Sequence, residues 1–160
     1  MPTHSQFIKD ENGNPSPQGL THTGPYFPIE VHVPPQIADS LTKAGQPVPA
    51  SISGLGLIDT GATLTCIHKN VLENLELNPI DVVTSGTANG PAQQNVYPAR
   101  ITFPTKGWTL DLGKAIGVDL SGQTIMKDPP EPIIALLGRN LLQHWIFIYN
   151  GPGSYWSVAM

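Results

Sequence analysis

Cysteine is nearly absent from the 160 residues: Cys66 stands alone, which excludes an internal disulfide and a zinc cluster held by thiolates. Charge is scarce too, at 12% of residues with a formal net charge of -4, and no run of lysine and arginine occurs. A nucleic-acid partner is therefore not expected, because phosphate binding needs clustered cations. No apolar run approaches the length of a membrane span, and the first residues lack the apolar core of a signal peptide. A soluble, cytoplasmic chain without a membrane partner is the expectation. His4, His22, His32, His68 and His144 show no metal-ligand spacing, and no metal or cofactor is expected.

Proline and glycine are abundant by contrast, seventeen and sixteen residues respectively, and they fall between short apolar runs. That punctuation leaves little room for long helices and predicts an all-β chain of strands and turns. Residues 1–25 are polar and lack periodicity, so a flexible leader is expected there, with one domain over 26–160. Within the domain, alternating or apolar runs predict strands over 27–33, 48–58, 63–67, 80–84, 94–103, 108–112, 115–120, 133–137, 146–149 and 155–158. Val71, Leu72 and Leu75 have helical spacing, residues 36–47 offer a helical turn, and Gly138-Arg139-Asn140 opens a short C-terminal helix. Asn89-Gly90 is a hairpin-turn signal within a tip of small and polar residues, 85–92.

One segment carries chemistry. Leu57-Ile58-Asp59-Thr60-Gly61-Ala62 delivers an acid at the end of an apolar strand, on a turn that suits glycine. A carboxylate at such a place must be paired, hydrogen-bonded or neutralised. Thr60 offers a hydroxyl to brace the turn, and Gly61 lets backbone amides approach. An Asp-[Thr/Ser]-Gly triplet arises by chance in roughly one chain in fifteen of this length, and the bland reading is an aspartate capping amides. The apolar run before it, and a second run ending in Gly138 some eighty residues later, set this triplet apart.

Ile58-Asp59-Thr60-Gly61-Ala62 together with Ile134-Ala135-Leu136-Leu137-Gly138-Arg139-Asn140 resembles the retroviral-type (retropepsin-like) aspartic proteases, in the style of bacterial members. The resemblance implies a closed acid-protease barrel with a psi-shaped crossing of the 136–138 strand beside the catalytic loop. It implies that Asp59, Thr60 and Gly61 are catalytic, with Thr60 locking two such loops across a dimer axis. It also implies a flap, so that Gly86, Thr87, Ala88, Asn89 and Gly90, with Ala62 and Leu137, bind substrate. Retroviral members carry an acid four positions after the catalytic aspartate, paired with the helix arginine. Thr63 stands there instead, which leaves the partner of Arg139 open.

Such enzymes need two carboxylates about one hydrogen bond apart. Like charges that close cannot both ionise, so the pair holds one proton; the aspartic-protease dyad is the established example. No second Asp-[Thr/Ser]-Gly exists here, since Asp111-Leu112-Gly113 and Asp119-Leu120-Ser121-Gly122 lack the order. A twofold-related copy of the chain must supply the other acid. The expected function is an aspartic endopeptidase active as a homodimer on extended peptides. Two competing readings are a non-catalytic dimerisation or peptide-binding module of the same fold, and a monomeric structural β-domain. Cys66 is expected as a small buried side chain, Trp145, Phe147 and Tyr149 as core or interface, and the tail 154–160 as a strand added across the dimer.

Overall fold

The structure, a computed structural model, describes residues 3–87, 90–125 and 129–159, with the backbone alone at Ser85 and Thr87. In chain order the elements are β1 (Thr3–Phe7), α1 (Pro17–Thr23), β2 (Tyr26–His32), α2 (Pro35–Lys43), β3 (Ile52–Ile58), β4 (Cys66–His68), α3 (Lys69–Asn74), β5 (Asp81–Thr87), β6 (Gly90–Phe103), β7 (Trp108–Val118), β8 (Thr124–Ile125), β9 (Glu131–Leu137), α4 (Arg139–Leu142), β10 (Ile146–Asn150) and β11 (Tyr155–Ala159). Strands dominate. No described helix is long and apolar enough to cross a membrane.

The larger sheet runs β2-β3-β9-β4-β7-β6-β5, and β2 also pairs with β6, so six strands close into a barrel. Its defining feature is the insertion of β9 between β3 and β4, parallel to the first and antiparallel to the second. The chain thus leaves β3, turns through residues 59–65 and returns as β4 on the far side of β9. This is the crossing that the resemblance implied. β5 hangs from β6 as a hairpin that projects from the barrel, its pairing running from Asp81↔Val96 to Thr87↔Gly90.

The barrel is filled by inward-facing alternate residues of its strands, as β2 (Phe27, Ile29, Val31) and the second half of β6 (Ala99, Ile101, Phe103) show. Phe27 is the hub. Its ring meets Trp156 at 4.8 Å, Phe103 at 5.2 Å and Trp145 at 5.9 Å, all edge-on, the orientation that ring quadrupoles favour. A smaller cluster of Leu55, Leu120, Ile125 and Ile133 closes the opposite side of β3 and β9.

Several details differ from the sequence expectations. From Thr3 onward the segment expected as a leader is built into the fold: β1 pairs with β11 over five residues, and α1 buries Leu20 completely. The local reason is a capped helix, in which Ser16 Oγ accepts from the Gly19 amide at 3.0 Å, Pro17 opens the first turn and Gly24 (φ 67°) ends it. The helices expected near 36–47 and 71–75 are present as α2 and α3, α2 extending to nine residues, and α1 is the helix that was not expected. Residues 108–118 form one strand, which pairs with β6 on both sides of an irregularity: Ala99↔Leu112 before it and Tyr97↔Ala115 after it, with Gly113 and Lys114 in between. The fourth strand starts at Cys66, residues 63–65 belonging to the loop. The tail pairs within its own chain, β11 lying between β1 and β10, so both of its edges are occupied.

Two positions give direct stability tests. α3 ends in a Schellman motif: the Glu76 amide donates to the Glu73 carbonyl at 2.9 Å and the Leu77 amide to the Leu72 carbonyl at 3.1 Å. Glu76 sits at φ 53°, a left-handed conformation that a side chain resists. Glu76→Gly is therefore expected to stabilise the protein by about 1 kcal/mol in urea unfolding; a loss of stability would show that the Glu76 side chain contributes more than its strain. His4, on β1, lies 5.1 Å from both Phe27 and Trp156. Burial, and then the charge of Lys106, hold its pKa below the ordinary histidine value. The neutral ring is the form that suits the fold, so this contribution is complete above the unfolded-state value of about 6.5 and is lost as pH falls through the lower folded value. His4→Phe should flatten that part of the stability-versus-pH curve, and an unchanged acid limb would assign the loss to other groups.

Candidate active site

β3 delivers Asp59 half-buried to the mouth of the crossing. Its amide donates to the Leu137 carbonyl at 3.0 Å, continuing the β3–β9 ladder by one residue. Its carboxylate oxygen Oδ1 accepts the Gly61 amide at 2.8 Å, which holds the side chain at a fixed angle above the loop. The need for glycine at 61 arises from proximity and not from backbone strain: the φ is not left-handed, but a Cβ there would lie 3.1 Å from the same Oδ1.

The loop is braced from α4. Arg139 donates from Nη1 to the Thr60 carbonyl at 3.0 Å and from Nη2 to Thr63 Oγ1 at 2.8 Å. The hydroxyl of Thr63 thus receives the arginine where an acid was absent, and no ion pair is required. Backbone bonds run alongside, from the Arg139 amide to the Ala62 carbonyl at 2.9 Å and from the Asn140 amide to the Thr63 carbonyl at 3.0 Å.

Beneath these lies a buried clasp that the motifs did not reveal. Thr65 is fully buried. Its amide and its hydroxyl both donate to Asn140 Oδ1, at 2.7 and 2.9 Å, while its oxygen Oγ1 accepts the Gly138 amide at 3.1 Å. Every polar group of this triad is satisfied across the crossing, as a buried network must be to stabilise. The signal available in the sequence was a polar residue inside an apolar run, Leu64-Thr65-Cys66-Ile67, with Asn140 just after Gly138.

Above the loop opens a cleft of about 620 Å³. Asp59, Gly61, Ala62, Thr63, Leu64 and Cys66 form its floor and near wall. Val83, Thr84, Gly86 and Gln94 of the hairpin, with Ile116 and Val118 of β7, form the rest. Of the residues expected at the site, the structure therefore gathers Asp59, Gly61, Ala62 and Gly86 around one space. Thr60 is exposed on the same loop, its carbonyl held by Arg139. Thr87 and Gly90 pair at the base of the hairpin tip, Gly90 at φ 103°, while Ala88 and Asn89 fall outside the described residues.

Leu137 is a correction. Its side chain is fully buried in the core behind the loop, so it supports Asp59 through its carbonyl and presents nothing to a substrate. The wall residues Ile116 and Val118 were legible only as alternate members of a strand, with no cue to which face met the cleft. Cys66 is half-buried and lines the cleft. Burial, and then the nearby charge of Asp59, push its thiol up to about 11. It stays protonated near neutral pH and acts as a small apolar wall group, not as a nucleophile.

A closed barrel with a crossed strand beside an Asp-Thr-Gly loop, opening on a cleft, is the architecture of the retropepsin-like aspartic proteases. The aspartyl protease family model matches residues 42–141, from the end of α2 through the first part of α4. The chain belongs to the aspartyl protease family, and it is a hydrolase of peptide bonds. Among solved structures it is similar to the solution structure of the Simian Foamy Virus (mac) protease, at 18% identity over 72% of this chain and 91% of that one, with a TM-score of 0.41. It is also similar to the crystal structure of a retropepsin-like aspartic protease from Rickettsia conorii, at 14% identity over 98% of this chain and 91% of that one, with a TM-score of 0.45.

Proposed function

We propose that the chain is half of an aspartic endopeptidase, two copies meeting so that each contributes one Asp59. The observation that carries this reading is a single acid per cleft. Asp59 lies on a braced loop at the floor of a cavity of about 620 Å³, and among the described residues that line it Asp59 is the only carboxylate. Water activation for amide hydrolysis needs a base to take a proton and an acid to donate one at the same moment. One carboxylate does one of these jobs. A second Asp59 sharing a proton with the first does both: the ionised member takes a proton from water while the protonated member donates to the carbonyl oxygen of the scissile bond.

In this reading Thr60 sits beside its symmetry mate on the axis, Gly61 fixes the carboxylate, and Ala62 borders the substrate backbone. The β5–β6 hairpin acts as a flap, with Gly86, Thr87, Ala88, Asn89 and Gly90 presenting backbone groups to an extended peptide and excluding water. Leu64, Ile116 and Val118 supply apolar wall for its side chains.

The test is digestion of a diverse peptide library at acidic and neutral pH across a dilution series. Cleavage is expected, with the rate per chain falling on dilution below the dimerisation constant. Binding without cleavage at either pH would support a non-catalytic peptide-binding module instead, and a rate per chain independent of concentration in a monomer would sink the shared-acid mechanism.

A further inference from the structure

Among the described residues that line the cleft, Asp59 is the one charged side chain. The rest of the lining is neutral, but a cation touches it from behind. Arg139 Nη2 donates to Oγ1 of the lining residue Thr63 at 2.8 Å, while Nη1 donates to the Thr60 carbonyl at 3.0 Å.

The cations on β6, β7 and α3 are all compensated. Arg100 pairs with Asp111 at 2.7 Å, Lys114 with Asp81 at 3.2 Å and Lys69 with Asp119 at 3.3 Å. Arg139 has no carboxylate within ion-pairing reach among the described residues, and both of its acceptors are neutral oxygens. A hydroxyl and a carbonyl satisfy N–H groups and cancel no charge. The two bonds use one N–H on each terminal nitrogen, so the second N–H of each, and that of Nε, remain for another acceptor. The side chain is exposed, and α4 is fixed to the loop by the Asn140 clasp on Thr65. The planar group is therefore held in place before any ligand arrives, which lowers the ordering cost of binding one.

Position decides what that ligand is. In the endopeptidase reading Thr60 lies at the axis and Thr63 at the cleft wall, so the guanidinium faces the path of the peptide. An extended peptide advances about 3.3 Å per residue. Next to the scissile bond, the charge shared by the Asp59 pair repels a carboxylate side chain. About three residues out, that pair is roughly 10 Å away, a Debye length at about 0.1 M salt. There the guanidinium prevails: it takes a carboxylate in a charge-assisted contact and repels a lysine.

We infer that Arg139 is a specificity-determining residue, which selects peptides carrying an Asp or Glu side chain a few positions from the cleaved bond. The inference rests on the endopeptidase reading and gives its substrate a chemical class. Twofold symmetry places the same preference on both sides of the bond.

A position-scanned set is the test, with Gln, Glu or Lys placed in turn at each position of one cleaved peptide. At one position on each side, about three residues out, kcat/KM is expected to rank Glu over Gln over Lys. Glu should stand roughly tenfold above Lys at low salt, and the ratio should shrink toward unity as salt is raised. Thr63→Asp gives Arg139 a carboxylate, so the Glu-to-Lys ratio of that variant should collapse. A ratio within one protein does not depend on its overall rate. Lys43→Gln removes the same unit of charge from α2, which lines no part of the cleft, and should leave the ratio as in the parent. Equal rates for Glu and Lys at every position, a ratio insensitive to salt, one untouched by Thr63→Asp or one moved by Lys43→Gln would each overturn the assignment. Cleavage itself would still uphold the endopeptidase reading. If no peptide of the set is cleaved, that reading fails, and fluorescence anisotropy of the same peptides bound to the protein decides the site. Tighter binding of the Glu peptides than of the Lys peptides keeps Arg139 as a carboxylate site, and equal binding removes it.

Discussion

Asp59→Asn is expected to leave the barrel standing and to lower peptide cleavage by roughly 10⁴-fold or more, since proton transfer by one positioned group contributes about 10²- to 10⁴-fold and both members of the pair change at once. The substitution is close to isosteric. The side-chain carbonyl of asparagine can still accept the Gly61 amide that Asp59 Oδ1 accepts at 2.8 Å, and the backbone bond to the Leu137 carbonyl is untouched. Stability should move by less than about 1 kcal/mol, the range of one neutral hydrogen bond. In the homodimer reading the pair shares one proton and carries one negative charge, so two asparagines remove that single charge and bring no like-charge repulsion to the axis; the dimer should persist. The variant is thus read by three measurements: thermal melt, sedimentation and cleavage. Full activity in a folded, dimeric Asp59→Asn protein would move the chemistry elsewhere in the cleft, where the described lining residues include no other carboxylate.

What the sequence made legible follows the range of the interactions. Asp59 and Gly138 stand out because each ends an apolar run, a local pattern, and the two runs are the strands that pair in the crossing. Barrel closure through β2 and β6 joins residues some seventy positions apart, as His32↔Arg100 does, and no local pattern encodes it. The family resemblance implied it instead. The first 25 residues misled for the opposite reason: their polarity and prolines suggested a free leader, yet Ser16-Pro17 is a helix start, and β1 is held by a strand 150 residues away. Leu137 shows a third limit. Its place beside Gly138 in the motif was clear, but a strand buried on both faces gives no alternation to tell which side chains look toward a cleft. The bracing of the loop was half visible. Arg139 was evident as a helix residue, while its acceptance by the Thr63 hydroxyl and the Thr60 carbonyl depended on the loop's curvature.

Gly138→Ala should be the most damaging single methyl in the protein. The backbone there is ordinary, at φ -83° and ψ 180°, so any residue could adopt it. Space is what forbids a side chain: a Cβ would stand 2.6 Å from the Leu64 carbonyl carbon, 2.7 Å from its oxygen and 2.8 Å from the Thr65 amide nitrogen. Those neighbours are backbone, so no rotamer change relieves the overlap, and the strand end must move away from the loop. Movement breaks the Gly138 amide bond to Thr65 Oγ1, and Thr65 and Asn140 then lose the geometry that satisfies them in a buried site. Overpacking and the lost bond together should remove roughly 3 kcal/mol or more, a fall of about 10 °C in melting temperature for a domain of this size. Gly113→Ala supplies the control, since a Cβ there meets nothing within 4 Å, and its melt should stay within a degree or two of the parent. Equal melts for the two variants would mean that the crossing yields at little cost. Because Leu137, whose carbonyl holds the Asp59 amide, is the very next residue, any fraction of Gly138→Ala that folds should also cleave more slowly than its folded population accounts for. Stability and rate are therefore expected to fall together at position 138 and to separate cleanly at position 59.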